Sequence, residues 1–245
     1  MKFRLWHAVF FIVALLVFGL ALAPASIFVP SRPGVFTYER LVGPIWNARA
    51  EKAKVGVYEA GVLEWTVSPL SILSGGLKAD VTSFGGALMG DIAVTVGLGG
   101  VQRLQSEEFA VQGLPLPQGG LVLPGITSAK GLDIVFKDGK CVSAAGSMHS
   151  EVLEVGESDL GFRGPALRGT ALCGGEDAWL IFEGAQEGER YRAVLSLRAN
   201  GEAQWQASVI PGTVQASTVL AAAGFQAVEG EPFMELTRSF QWFPL

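Results

Sequence analysis

The stretch Val57–Val67, VYEAGVLEWTV, sets the fold class of this chain. Together with Val55 before it, the apolar residues Val57, Val62 with Leu63, Trp65 and Val67 fall largely on alternate positions, with polar Glu59, Glu64 and Thr66 between them. A side-chain period of two is that of a strand with one buried and one solvated face. Gly61 interrupts the alternation at the position of a bulge, and Ser68-Pro69 ends the run.

Outward from this stretch the same period recurs. Upstream, Val35 to Leu41 forms a short strand, and Gly43-Pro44 makes a turn before Ile45 to Ala50. Downstream, Pro69 to Ser74 reads as one helical turn with proline at its first position. Leu77, Ala79 and Val81 then alternate, as do Leu88, Ile92, Val94 and Val96, with Gly85-Gly86 between the runs as a hairpin turn. A further strand runs from Val101 to Val111. The breaker-rich stretch GLPLPQGGLVLPG, Gly113 to Gly125, reads as a joint between two halves. Beyond it, Leu132, Ile134 and Phe136 alternate up to Asp138-Gly139, a dipeptide that favours positive φ, and Cys141-Val142 opens the return strand.

Glu151–Val155, Ala166–Cys173, Ala178–Glu183, Arg190–Arg198, Ala203–Val209 and Phe233–Trp242 continue the meander. Pro211 to Ala223 is alanine-rich and followed by Gly224, the pattern of a helix with a glycine cap. The expected fold is mainly β. An N-terminal transmembrane helix precedes an elongated, largely antiparallel sheet body, readable as two halves of similar strand spacing, with one short helix near the C-terminus. The expected divisions are 1–25 tail and anchor, 26–34 linker, 35–112 first β half, 113–130 joint and 131–245 second β half.

The anchor is the run Leu5–Ala23, LWHAVFFIVALLVFGLALA, whose one polar interruption is His7. A bilayer core about 30 Å thick needs roughly 20 apolar helical residues. Lys2 and Arg4 precede the run and the next cation is Arg32, so the N-terminus is placed in the cytoplasm and the body outside. A cleaved secretory signal is the rival reading, with Ala21-Leu22-Ala23 or Ala23-Pro24-Ala25 as the cleavage site. Both readings export the same body. The run is longer than a usual signal core, which favours the anchor. Ser26 to Pro33, with two prolines, reads as an extended linker.

Hydrophobic residues make up 49% against 17% charged, which excludes a disordered tail, and a net charge of −5 excludes a basic nucleic-acid footprint. Cys141 and Cys173 are the two cysteines, both in the exported part, and an even count in an oxidising compartment reads as a disulfide; free buried thiols are the alternative. With His149 as the sole exported histidine, no four-ligand zinc set exists. Ser147-Met148-His149-Ser150 has no G-x-S-x-G elbow near it. Glu176 and Asp177 are adjacent, so on a strand they point to opposite faces and make a poor acid/base pair. Gly97 to Gly100 does not open a helix in a phosphate-binding pattern. Trp46, Trp65, Trp179 and Trp205 lie in or beside alternating strands, where packing is the ordinary role. No enzyme and no cofactor is expected.

The order of features, with Gly43-Pro44-Ile45-Trp46-Asn47-Ala48-Arg49-Ala50 followed by Leu63-Glu64-Trp65-Thr66-Val67-Ser68-Pro69-Leu70, resembles the N protein family of bacterial type II secretion systems. The carrying residues are Gly43, Trp46, Ala50, Trp65 and Pro69. The cysteine pair, the stretch Ala221-Ala222-Ala223-Gly224-Phe225 and the final strand are also similar to that family. Ala48 departs from it, since glycine is usual there. The resemblance implies an accessory or scaffold subunit in the bacterial inner membrane, with a periplasmic body and the inner-membrane platform subunits as partners. Family members also look like AsmA-type β-groove proteins, which implies as the alternative an apolar trough that binds or passes lipid.

Overall fold

The computed structural model describes residues 9–12, 15, 18, 19, 22–72, 75–115, 122–155 and 163–241. Their strands form one 15-stranded sheet in which every pairing is antiparallel. The strands are β1 (Phe36–Thr37), β2 (Arg40–Val42), β3 (Asn47–Val55), β4 (Tyr58–Ser68), β5 (Gly76–Phe84), β6 (Leu88–Gly97), β7 (Val101–Pro115), β8 (Val122–Lys137), β9 (Lys140–Ser150), β10 (Leu167–Gly174), β11 (Asp177–Gln186), β12 (Glu189–Leu197), β13 (Glu202–Ile210), β14 (Gln226–Ala227) and β15 (Met234–Gln241). From β3 to β13 each strand pairs with the next in sequence, so the body is a meander of hairpins; β1 and β2 flank β3 at one end, and β15 then β14 follow β13 at the other. Short helices occupy Ala25–Phe28 (α1), Val152–Val155 (α2) and Val214–Ala222 (α3).

Side-chain alternation sorts the residues onto two faces. One face carries in-register pairs of opposite charge, Arg49 with Glu64 at 2.8 Å and Lys54 with Glu59 at 2.7 Å. Lys130 with Glu108 at 3.1 Å and Arg192 with Glu183 at 3.5 Å continue the pattern. Exposed pairs of this kind stabilise by about 0–1 kcal/mol each. They do penalise a one-residue slip, which would turn the charges inward. The opposite face is apolar. Val67, Ala79, Val94, Leu104, Ile134 and Ala144 are matched strand to strand across six consecutive strands.

That apolar stripe changes character along the sheet. Val67, Ala79, Val94 and Leu104 are half-buried, whereas Ile134 is fully buried. Beyond it lies the main core. Ile134 and Phe136 of β8 cluster with Leu180 and Phe182 of β11, Leu197 of β12 and Ala207 of β13, strands well apart in the sheet order. Ile134 and Phe136 are 0% and 2% exposed, which a flat sheet face open to water would not give, so the second half coils over its own apolar face, in keeping with the twist of antiparallel strands. α3 seals one end over Tyr191, Val209 and Met234. The Thr213 hydroxyl accepts from the Ala216 N–H at 3.1 Å as its N-cap, and Gly224, at φ 96°, follows its end. Below the helix Tyr191 donates to Glu189 Oε2 at 2.6 Å, while the Gly212 N–H donates to Oε1 at 3.1 Å. Burial, and then the Glu189 carboxylate, push the Tyr191 hydroxyl well above its ordinary range.

The structure departs from the expected elements at several points. Val55 and Val57 do not share a strand: the chain turns at Gly56-Val57 and makes β3 and β4 a hairpin. Gly61 does sit at an irregularity, opposite Ala53. Glu151–Val155 is not a strand. The Glu151 N–H still bonds to Ile126, and Val152 then turns into α2 against Gly125, where a Cβ would lie 2.7 Å from Val155 Cγ2. Ser26–Pro33 is not wholly extended, since α1 takes its first residues. In the stretch read as a joint, residues 113–115 end β7 and 122–130 begin β8, so the sheet runs through it; residues 116–121 lie outside the described set. Much of Leu5–Ala23 also lies outside it. Among the described residues no helix is long and apolar enough to cross a membrane.

Two outcomes follow from this packing. Ile134→Ala should lower unfolding stability by about 2–5 kcal/mol in urea titration, because Ile134 is 0% exposed at the centre of the coiled half. The second concerns Arg103 and Asp133, joined across β7 and β8 by bonds of 2.8 and 2.6 Å. These hydrogen bonds hold the Asp133 carboxyl below its ordinary value of 3.8. A lowered folded-state value means the stabilisation is complete above the unfolded carboxylate range and fades as pH falls through it. Asp133→Asn should therefore flatten, slightly, the loss of melting temperature between about pH 5 and pH 3.

Candidate interaction surfaces

The residues quoted for the family resemblance meet at one corner. Gly43 has φ 107°, and a Cβ there would lie 2.3 Å from the Asn47 carbonyl oxygen, so glycine is required where β2 turns into β3. The Trp65 indole N–H donates to the Ile45 carbonyl at 3.0 Å, and the Val67 N–H donates to the Trp46 carbonyl at 2.7 Å. Ala50, fully buried, pairs with Leu63, and Pro69 opens the 3-10 turn Pro69–Ile72 beyond β4. The segment leaving the apolar run is stitched to the same corner. The Ile45 N–H donates to Ala23 at 3.1 Å, the Ala25 N–H to Gly43 at 3.0 Å, and Tyr38 Oη to Val29 at 2.8 Å. The corner thus fixes how the N-terminal segment enters the sheet.

Cys141 and Cys173 form a disulfide with Cα atoms 5.5 Å apart. It joins β9 to β10 where their ladder has ended: the pairs run from Ser150–Leu167 to Ser147–Thr170 and stop. The bond fastens the strand ends beyond the ladder, beside a hydrogen bond of 3.2 Å from the Cys141 N–H to the Glu176 carbonyl. Sequence spacing alone does not reveal that the ladder breaks there.

The side chains considered for catalysis are dispersed. His149 Nε2 lies 3.4 Å from Glu151 Oε1, and the Ser150 hydroxyl is paired with Thr127 Oγ1 at 2.7 Å. Glu176 sits in the β10–β11 turn, while Asp177 accepts from Arg198 Nε at 3.1 Å. Among the described residues no group of three His, Cys, Asp or Glu converges as for a metal ion. A polar recess of about 420 Å³ is lined by Asp177, Ser196, Arg198, Glu202, Gln204 and Ser239. Its guanidinium is held between Asp177 and Glu202, at 3.1 and 3.0 Å, so the charge is already matched.

The surfaces that remain are the sheet's faces and edges. In the first half the apolar face is partly open. Leu77 and Val96, matched across β5 and β6, are 41% and 43% exposed, with Trp65, Val81, Ile92 and Val94 half-buried around them. Sequence periodicity identifies this face but not its openness, because alternation is the same for a closed and an open sheet.

Fold and surfaces together define a one-sheet antiparallel β protein with its apolar face closed in one half and partly open in the other. Residues 36–231 match the family described as Type II secretion system (T2SS), protein N, and the chain belongs to that family. Membership implies other components of the secretion system as partners and a place in the cell envelope. The chain matches no curated protein. Nor does any solved structure match it.

Replacing both cysteines, Cys141→Ser with Cys173→Ser, should cost about 3–4 kcal/mol, as expected for a loop of 32 positions. Urea titration of the oxidised protein, the reduced protein and the double variant checks this. The latter two should coincide.

Proposed function

We propose that this chain is an inner-membrane-anchored, periplasmic scaffold subunit of a bacterial type II secretion system, working through docking surfaces rather than catalysis. The observation that carries the reading is the family match over residues 36–231. The anchor would be Leu5–Ala23, with Lys2 and Arg4 on the cytoplasmic side. The corner around Gly43, Trp46 and Trp65 would then transmit the position of the anchor to the sheet, since Ala23 and Ala25 are hydrogen-bonded to it. The Cys141–Cys173 disulfide suits an oxidising compartment. Family membership favours the inner-membrane platform subunits of the apparatus as partners.

A second reading, an apolar groove that holds or passes lipid, is favoured by one observation: the open pair Leu77 and Val96 on the apolar face of the first half. The two readings predict different neighbours. Photo-reactive residues placed at outward Thr82 and Thr95, and at inward Val81 and Val94, should separate them in native membranes. Scaffolding predicts protein adducts to secretion-system subunits from the outward positions. Lipid adducts confined to Val81 and Val94, with no subunit adduct, would replace it with the groove reading.

A further inference from the structure

The two ends of the sheet differ. At the first, β3 is flanked by β2 along Arg49–Glu51 and by β1 along Lys54–Val55, with Lys52 and Glu39 paired at 2.5 Å between them. At the other, β15 runs in unbroken register against β13 from Met234 to Gln241. β14 covers its far side only at Met234 and Glu235. Among the described residues, positions 236–241 of β15 have a strand on one side and none on the other.

A bare edge presents a row of backbone donors and acceptors, and an extended chain is the one partner geometry that satisfies the row. Of the devices that normally blunt an edge, this one has a single inward-facing charge, Arg238, which an incoming strand has to match. Residues 236–241 hold no proline, and the ladder to β13 has no bulge. The apolar face continues to this last strand, with Leu236 only 6% exposed. Two residues on, Arg238 lies on the same face, opposite Trp205. It is exposed, donates only to the Thr237 carbonyl at 3.1 Å, and has no carboxylate partner among the described residues.

We infer that the free edge of β15, from Leu236 to Gln241, receives an extended segment of another protein chain that adds a strand to the sheet and sets a carboxylate opposite Arg238. The neighbour of that carboxylate two positions along, on the same face, is apolar and extends the layer that ends at Leu236. Direct cross-strand pairs of opposite charge are favourable and like-charged pairs unfavourable, so Arg238 selects between otherwise identical strands. This inference does not depend on which secretion component supplies the segment.

The test uses the full chain and two synthetic nine-residue peptides of alternating valine and threonine, identical except for glutamate or lysine at the central position. Binding is followed by fluorescence anisotropy to millimolar peptide, and the amides of residues 236–241 by hydrogen exchange. The glutamate peptide should bind about fivefold more tightly than the lysine peptide and slow exchange along the edge. Arg238→Gln should erase that preference and Arg238→Glu should reverse it, both with unchanged melting temperature. No binding of either peptide, or a preference indifferent to both variants, overturns the inference. So does a dimer of the chain through the same edge that the glutamate peptide fails to dissociate in sedimentation.

Discussion

The antiparallel ladder is the constraint on which the rest of this protein depends. A meander of hairpins satisfies backbone hydrogen bonds locally, strand by strand, but a single sheet has two faces and an apolar one must be covered. No second sheet is present among the described residues to cover it. The second half meets the demand by coiling, which buries Ile134 and Phe136 in one cluster with Leu180, Phe182 and Leu197. The first half coils less, so its apolar face is covered mainly near the Ala50–Ala53–Ala60 cluster, by Phe36, Tyr38, Leu41 and Trp65.

Coiling has a local cost that the disulfide addresses. Backbone pairing of β9 with β10 stops after Ser147 and Thr170, and Cys141–Cys173 ties the strands beyond that point. α3 acts at the opposite end, over Tyr191 and Val209, held by the Glu189 carboxylate that binds both Tyr191 and Gly212. A covalent clip and a capped helix thus fasten the two ends of the same half. In the first half the corresponding fastening is the corner at Gly43, which ties the N-terminal segment into the sheet by hydrogen bonds. The partly open face of the first half and the bare edge of β15 are the surfaces left for contact.

Much of this is legible in the residues. Apolar alternation runs through both halves: Ala79 with Val81, Val94 with Val96, and Ile134 with Phe136 each announce a strand, because a period of two has no other regular backbone. Asp138-Gly139 marks its hairpin, and the structure places both at positive φ, 52° and 78°. The helix ending before Gly224 is equally readable. Two of the segments that are not share a reason: the deciding feature is a glycine that the apolar pattern does not weigh. A turn at Gly56 preserves alternation on both sides of Val55 and Val57, so the hairpin there looks like one strand. Val152–Val155 carries no local signal for a single helical turn, and it is Gly125 of a neighbouring strand that makes room for one.

From the residues alone come the β class, most of the hairpins, the cysteine pair and the family, all properties carried by local period, turn chemistry and residue identity. The tertiary structure decided how far the sheet coils, where the β9–β10 ladder gives way to a disulfide, which stretch of the apolar face stays open at Leu77 and Val96, and which edge is left bare at β15. A period of two is the same in a closed and an open sheet, so only packing between strands far apart in the chain separates a closed face from an open one.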